Sequence, residues 1–76
     1  MKQFIEFVAK GLVDYPDEVQ VSEAEGEKTL ILELRCNKED VGKIIGRGGR
    51  TIKALRTLLV TAAAKHGVRA VLEILD

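Results

Sequence analysis

From Lys2 to Val13 the apolar residues Phe4, Phe7 or Val8, Gly11 and Leu12 return at helical spacing, and Pro16 follows as a stop, so the pattern predicts a first helix facing the core with that stripe. The period then drops to two. Val19 and Val21 alternate with Glu18, Gln20 and Ser22, Glu25-Gly26-Glu27 marks a turn, and Leu30, Leu32 and Leu34 alternate with Ile31, Glu33 and Arg35. An antiparallel hairpin is predicted, its first strand over residues 18–23. Apolar residues at four of the five positions from Leu30 to Leu34 make the second strand a central one. Asn37 suits an N-cap, with Asp40 placed to serve the free amides of the next turn, so a short helix is expected from Lys38 to Ile44. After a run of glycines a longer helix, Arg50 to Lys65, carries Ile52, Leu55, Leu59, Ala62 and Ala63 on one stripe and stops at Gly67. Val68, Ala70, Leu72 and Ile74 alternate in a final strand. The order is α-β-β-α-α-β. Two helices between the second and third strands give room for a right-handed crossover, so those strands should run parallel: an α+β fold, a three-stranded mixed sheet with three helices on one face.

Seventy-six residues make one domain, residues 1–76, with a simple core and little room for a deep cleft. With 46% apolar and 32% charged residues, the composition is that of a soluble globular protein. Glu6 and Lys10 interrupt the N-terminal apolar stretch, and the longest uncharged run, Thr57 to Ala64, is too short for a membrane span, so no membrane is involved and a cytoplasmic protein is expected. One cysteine, Cys36, reads as a small buried hydrophobe, and with His66 as the single histidine no metal or other cofactor is expected. The carboxylates gather in the N-terminal half with no histidine beside them, which argues against an enzyme.

The net charge of zero hides a separation. Residues 1–37 hold four bases and eight acids; residues 38–56 hold Lys38, Lys43, Arg47, Arg50, Lys53 and Arg56 against only Glu39 and Asp40. The basic patch coincides with the glycines, where a polyanion would be drawn. Those glycines match neither a Walker loop, whose first glycine would fall on Ile44, nor a dinucleotide fingerprint, which should follow a strand. Gly46-Arg47-Gly48-Gly49 is a Gly-x-x-Gly turn between two helices, where bare backbone and free helix amides suit a phosphodiester.

The stretch Val41-Gly42-Lys43-Ile44-Ile45-Gly46-Arg47-Gly48-Gly49-Arg50-Thr51-Ile52 resembles the signature of the KH domain, whose Gly-x-x-Gly loop clamps about four nucleotides of single-stranded RNA. The element order is similar to the type II version, and the whole chain resembles the small single-domain bacterial KH proteins of the KhpA family. The resemblance implies an RNA-binding protein or RNA chaperone in post-transcriptional regulation, linked to cell-envelope growth and cell shape. It also implies a larger Jag-type KH protein as partner. Arg47, Arg50 and Lys53 would meet phosphates, Lys43 less strongly, along the backbone of Gly46, Gly48 and Gly49. Of Val41, Ile44, Ile45 and Ile52, some would floor the bases while Ile45 and Ile52 anchor the helices in the core. With three aromatic residues and no stacking platform, base contacts would be aliphatic, together with backbone groups of the central strand. A protein-interaction module with little RNA binding is the alternative. On the outer side of the long helix Ala54, Thr57, Val60, Thr61 and Ala64 lie away from the buried stripe, small and uncharged, and are expected to form a homodimer or heterodimer interface.

Overall fold

The alternation of Leu30, Leu32 and Leu34 places three leucines on one side of the middle strand, and they are the centre of the core. A computed structural model describes residues 1–75. Its sheet has the order β1-β2-β3, with β1 Gln20–Gly26, β2 Thr29–Arg35 and β3 Arg69–Leu75. β1 pairs antiparallel with β2 (Val21 opposite Leu34), and β3 pairs parallel with it (Leu32 opposite Leu72), the topology anticipated from the crossover. Helices α1 Lys2–Leu12, α2 Val41–Ile45 and α3 Arg50–Ala64 supply Ile5, Ala9, Ile44, Ile52, Leu55, Leu59 and Ala63 to the leucine face. Burying each large aliphatic side chain contributes about 1.5–3 kcal/mol, so one sheet face and three helices are enough to hold a small domain.

Four local expectations are corrected. On α1 the buried residues are Ile5 and Ala9, while Phe4 and Leu12 are exposed and Phe7 is 79% exposed. The helix is apolar around more than half its circumference, and the stripe through Ile5 wins because Ala9 lets the helix lie close to the sheet. Glu25 and Gly26 belong to β1, and the turn is Glu27-Lys28, closed by the pair Gly26 and Thr29, with Lys28 left-handed at φ 63°. Only Val21 of β1 is buried, so an edge strand with glutamates on it gave no apolar alternation to read beyond Glu23. Ala62 of α3 is exposed, one position off the buried stripe. Cys36 is half-buried against the core rather than inside it.

A further correction concerns Asp40. Asn37 does cap, its Oδ1 accepting from the Glu39 amide at 2.8 Å, but the turn Lys38–Asp40 precedes α2 and the Asp40 side chain caps none of that helix's amides. It points across the fold instead, fully buried, accepting from the amides of Asp14 at 3.2 Å and Tyr15 at 3.0 Å and from Lys43 Nζ at 3.3 Å. The α1–β1 connection is thereby tied to α2. Burial pushes the Asp40 carboxyl up, but the two amides and the Lys43 ammonium more than offset it and hold it below the ordinary carboxylate value.

Because the folded pKa lies below the unfolded one, the stabilisation from ionised Asp40 is complete above the unfolded value near about 3.9 and is lost as pH falls through the folded value. Asp40→Asn is expected to lower the thermal midpoint at neutral pH and to flatten the acid limb of a stability–pH curve. An acid limb of unchanged steepness would show that Asp40 is not the group lost there.

Candidate nucleic-acid interface

α2 is a single turn, and its residues divide by spacing: Asp40 and Ile44, four apart, face inward, while Val41 and Ile45 share the outer side. This reverses the expectation for the isoleucines. Ile44 is fully buried, Ile45 is exposed beside a half-buried Val41, and Ile52 is buried on α3 as anticipated. Ile44 and Ile52 therefore hold the two helices, and of the four only Val41 and Ile45 offer apolar surface next to the glycines.

The glycine turn is set by contact within the protein. The Gly46 amide closes α2 on the Gly42 carbonyl at 2.9 Å, and the backbone then doubles back at φ 77° onto the start of α3. A Cβ built on Gly46 would overlap the Thr51 hydroxyl and lie 2.8 Å from Thr51 Cβ and 2.9 Å from its amide nitrogen. Gly46 is required by Thr51 whether or not a ligand passes. Gly48 and Gly49 are also left-handed, at φ 64° and 77°, but face open space, apart from Lys53 Cε 3.9 Å from a Cβ at 49. Position 48 is thus less freely variable than the sequence motif suggests, since an L-residue there costs about 1–2 kcal/mol.

Arg47 stands exposed at the tip, and Arg50 and Lys53 are exposed on the first turns of α3. Among the described residues no carboxylate lies within ion-pair distance of any of the three. Lys43 differs. Its Nζ is 3.1 Å from the Asp14 carboxylate and 3.3 Å from Asp40, and these bonds, Asp14 first, hold its proton more firmly than an ordinary lysine's. Lys43 neutralises a buried acid, and its ammonium is already engaged by two carboxylates.

Beyond Lys53 the ridge of α3 continues through Arg56 and Val60 and forms, with β3, a groove of about 460 Å³. Arg56 crosses it: its Nε–H donates to the Leu72 carbonyl at 3.2 Å. That carbonyl lies on the outer edge of β3. The central strand β2 is paired on both sides, so its backbone is not open to bases as expected; among the described residues the outer side of β3 has no strand neighbour. Arg56 was legible in the sequence as a charge three residues after Lys53; its groove was not, because the wall comes from residues 69–73. Glu23, Glu25 and Glu27 sit on or beside β1, at the opposite edge of the sheet.

A second surface lies on α3. Ala54, Thr57, Val60, Thr61 and Ala64 are all exposed. The Thr57 hydroxyl donates to the Lys53 carbonyl at 3.0 Å and that of Thr61 to the Thr57 carbonyl at 2.8 Å, so both turn methyl groups into the surface and spend their polar atoms internally. Leu58, 53% exposed, adjoins them and shares a shallow hollow with Met1, Phe4 and Ala62.

Gly46→Ala is expected to cost clearly more than the roughly 1–2 kcal/mol of a left-handed alanine, because the methyl group also meets Thr51, whereas Gly48→Ala should lose only that amount. Urea unfolding measures both. Equal losses would show that Thr51 yields freely.

Comparison with known proteins agrees with this geometry. No solved structure matches the chain. Relatives named RNA-binding protein KhpA match the chain over nearly its whole length, among them three from distant bacteria. The one from Clostridium acetobutylicum is 56% identical over 75 residues, 99% of this chain and all of its own. That of Chlamydia pneumoniae is 53% identical over 76 residues, all of this chain and 97% of its own. That of Borreliella burgdorferi is 58% identical over 74 residues, 97% of this chain and 90% of its own. The family model described as KhpA/KhpB, KH domain, matches residues 2–74. A glycine turn between two helices, backed by a mixed three-stranded sheet and matched along nearly all its length, makes this chain a member of the KhpA/KhpB KH-domain family.

Proposed function

We propose that the protein binds single-stranded RNA, about four nucleotides passing over the turn Gly46–Gly49 and into the groove between α3 and the edge of β3. One observation carries this reading. Arg47, Arg50 and Lys53 are exposed cations without carboxylate partners among the described residues, gathered where the backbone is bare and leading into a groove. Phosphates would lie against these three and the loop amides, and bases against Val41 and Ile45 and then the groove wall. The relatives' name, RNA-binding protein KhpA, supports the same activity. The reading is one of binding rather than cleavage, and action as an RNA chaperone in post-transcriptional control, linked to cell shape, follows from the family resemblance. A cytoplasmic location suits such a role; among the described residues no helix is long and apolar enough to cross a membrane.

Pairing through the outer side of α3 completes the proposal, either with a second copy or with a larger Jag-type KH protein. Small residues, internally bonded threonines and Leu58 allow another helix to approach closely. Two linked domains raise avidity over the weak grip of one. Sedimentation at micromolar concentration is expected to show dimers of the wild type and monomers of Thr61→Arg. A wild type that is monomeric at that concentration overturns self-association.

The RNA reading is tested by Arg47→Asp with Lys53→Glu, which leaves the left-handed glycines intact. Affinity for a single-stranded RNA should fall by about tenfold or more with the unfolding midpoint nearly unchanged. The wild-type dependence of log affinity on log salt should have a slope of roughly 0.7 per phosphate contact, reduced in that variant and unchanged in Lys43→Met. A folded double variant that binds as tightly as the wild type makes the loop purely structural.

A further inference from the structure

Arg56 is held by the protein and still has donors to spare. The Nε–H bond to the Leu72 carbonyl stretches its guanidinium from α3 to the sheet edge. A guanidinium carries five N–H donors in one rigid plane, and no other hydrogen bond or ion pair of Arg56 occurs among the described residues. Four donors on its two terminal nitrogens remain. Seven residues past Gly49, it stands about 10 Å along α3 from the glycine turn.

The rest of the groove decides what those donors meet. Leu59, Val60, Ala70, Val71 and Leu72 make it mainly aliphatic, and Arg69 and Glu73 line it with opposite charges. A phosphate would suit the arginines, but it would lie against Glu73 and gain nothing from the aliphatic wall. A flat base fits both. Guanine shows O6 and N7 side by side, two acceptors that an arginine fork meets with two bonds, whereas adenine sets an amino donor beside N7, and cytosine, whose N3 and O2 could also take the fork, leaves a carboxylate only its single amino group. Guanine's other edge presents N–H groups that a carboxylate accepts.

We propose that Arg56, fixed on the Leu72 carbonyl, makes the groove a guanine-reading site, with Glu73 accepting from the opposite edge of the base. The inference rests on the reading of the chain as a single-stranded RNA binder and adds a sequence preference to it. Because the guanidinium is already anchored, little side-chain freedom is left to lose on binding.

The test uses the full chain and short fluorescent oligouridylates carrying one guanosine at successive positions. At one register guanosine should tighten binding about tenfold over uridine, a bidentate arginine contact being of that order. Replacement there by 7-deazaguanosine, which lacks the N7 acceptor, or by adenosine should abolish the gain. Arg56→Lys, which keeps the charge without the fork, should lose the preference for guanosine over uridine at that register. Equal binding of all oligomers by the wild type, or of 7-deazaguanosine and guanosine at the favoured register, overturns the proposal. So does an Arg56→Met variant that weakens every sequence alike and lowers the salt slope by about 0.7, which would place Arg56 on a phosphate. Absence of binding to any oligomer, with the Arg47→Asp, Lys53→Glu variant indistinguishable from wild type, overturns the RNA reading itself.

Discussion

The carboxylate of Asp40, removed from water and held by two amides and one ammonium, is the tie on which the site depends. α2 has five residues, far fewer than a helix needs to persist by itself, and its position must be imposed from outside. Ile44 imposes it from the apolar side and Asp40 from the polar side. An unpaired carboxylate in that place would be costly, so the three donors are as much part of the tie as the acid. Lys43 and Asp14 are drawn in for this reason, and a cation adjoining the glycine turn is thereby spent on structure.

From that fixed start the glycine turn has little freedom. Gly46 lies against Thr51 so closely that the backbone reversal between α2 and α3 is a packing contact rather than a loose loop. Rigid geometry is what a backbone-recognition site needs, because each loop degree of freedom frozen on binding is subtracted from affinity. Charge follows the same plan: free cations lie along the turn and α3, while glutamates line the opposite sheet edge, so a strand of RNA is attracted to one side of a molecule with no net charge.

Much of this was legible in the residues, and the failures share a cause. Periodicity located the central strand, the crossover and α3 because each has one strongly apolar face. It misplaced the face of α1, where two apolar stripes overlap and only the close approach at Ala9 decides between them. β1 was read short because an edge strand buries only Val21. At the site, glycine and arginine spacing revealed the turn, but Asp40, Lys43 and the groove could not be seen locally: their partners are 16 to 26 residues away in the case of Leu72 with Arg56 and Asp14 with Asp40.

The parallel pairing of β2 with β3 joins Thr29 to Arg69, strands brought together across both intervening helices, whereas the turn is built from neighbours between Gly42 and Thr51. The two halves of the site therefore draw on contacts of very different range, and closing the longer loop is the slower and more entropically expensive step. In the proposed reading, grip on the RNA backbone draws on the short-range turn and discrimination among bases on the long-range pairing of β3, so a local fraying at the outer edge of β3 would cost selectivity before it cost attachment.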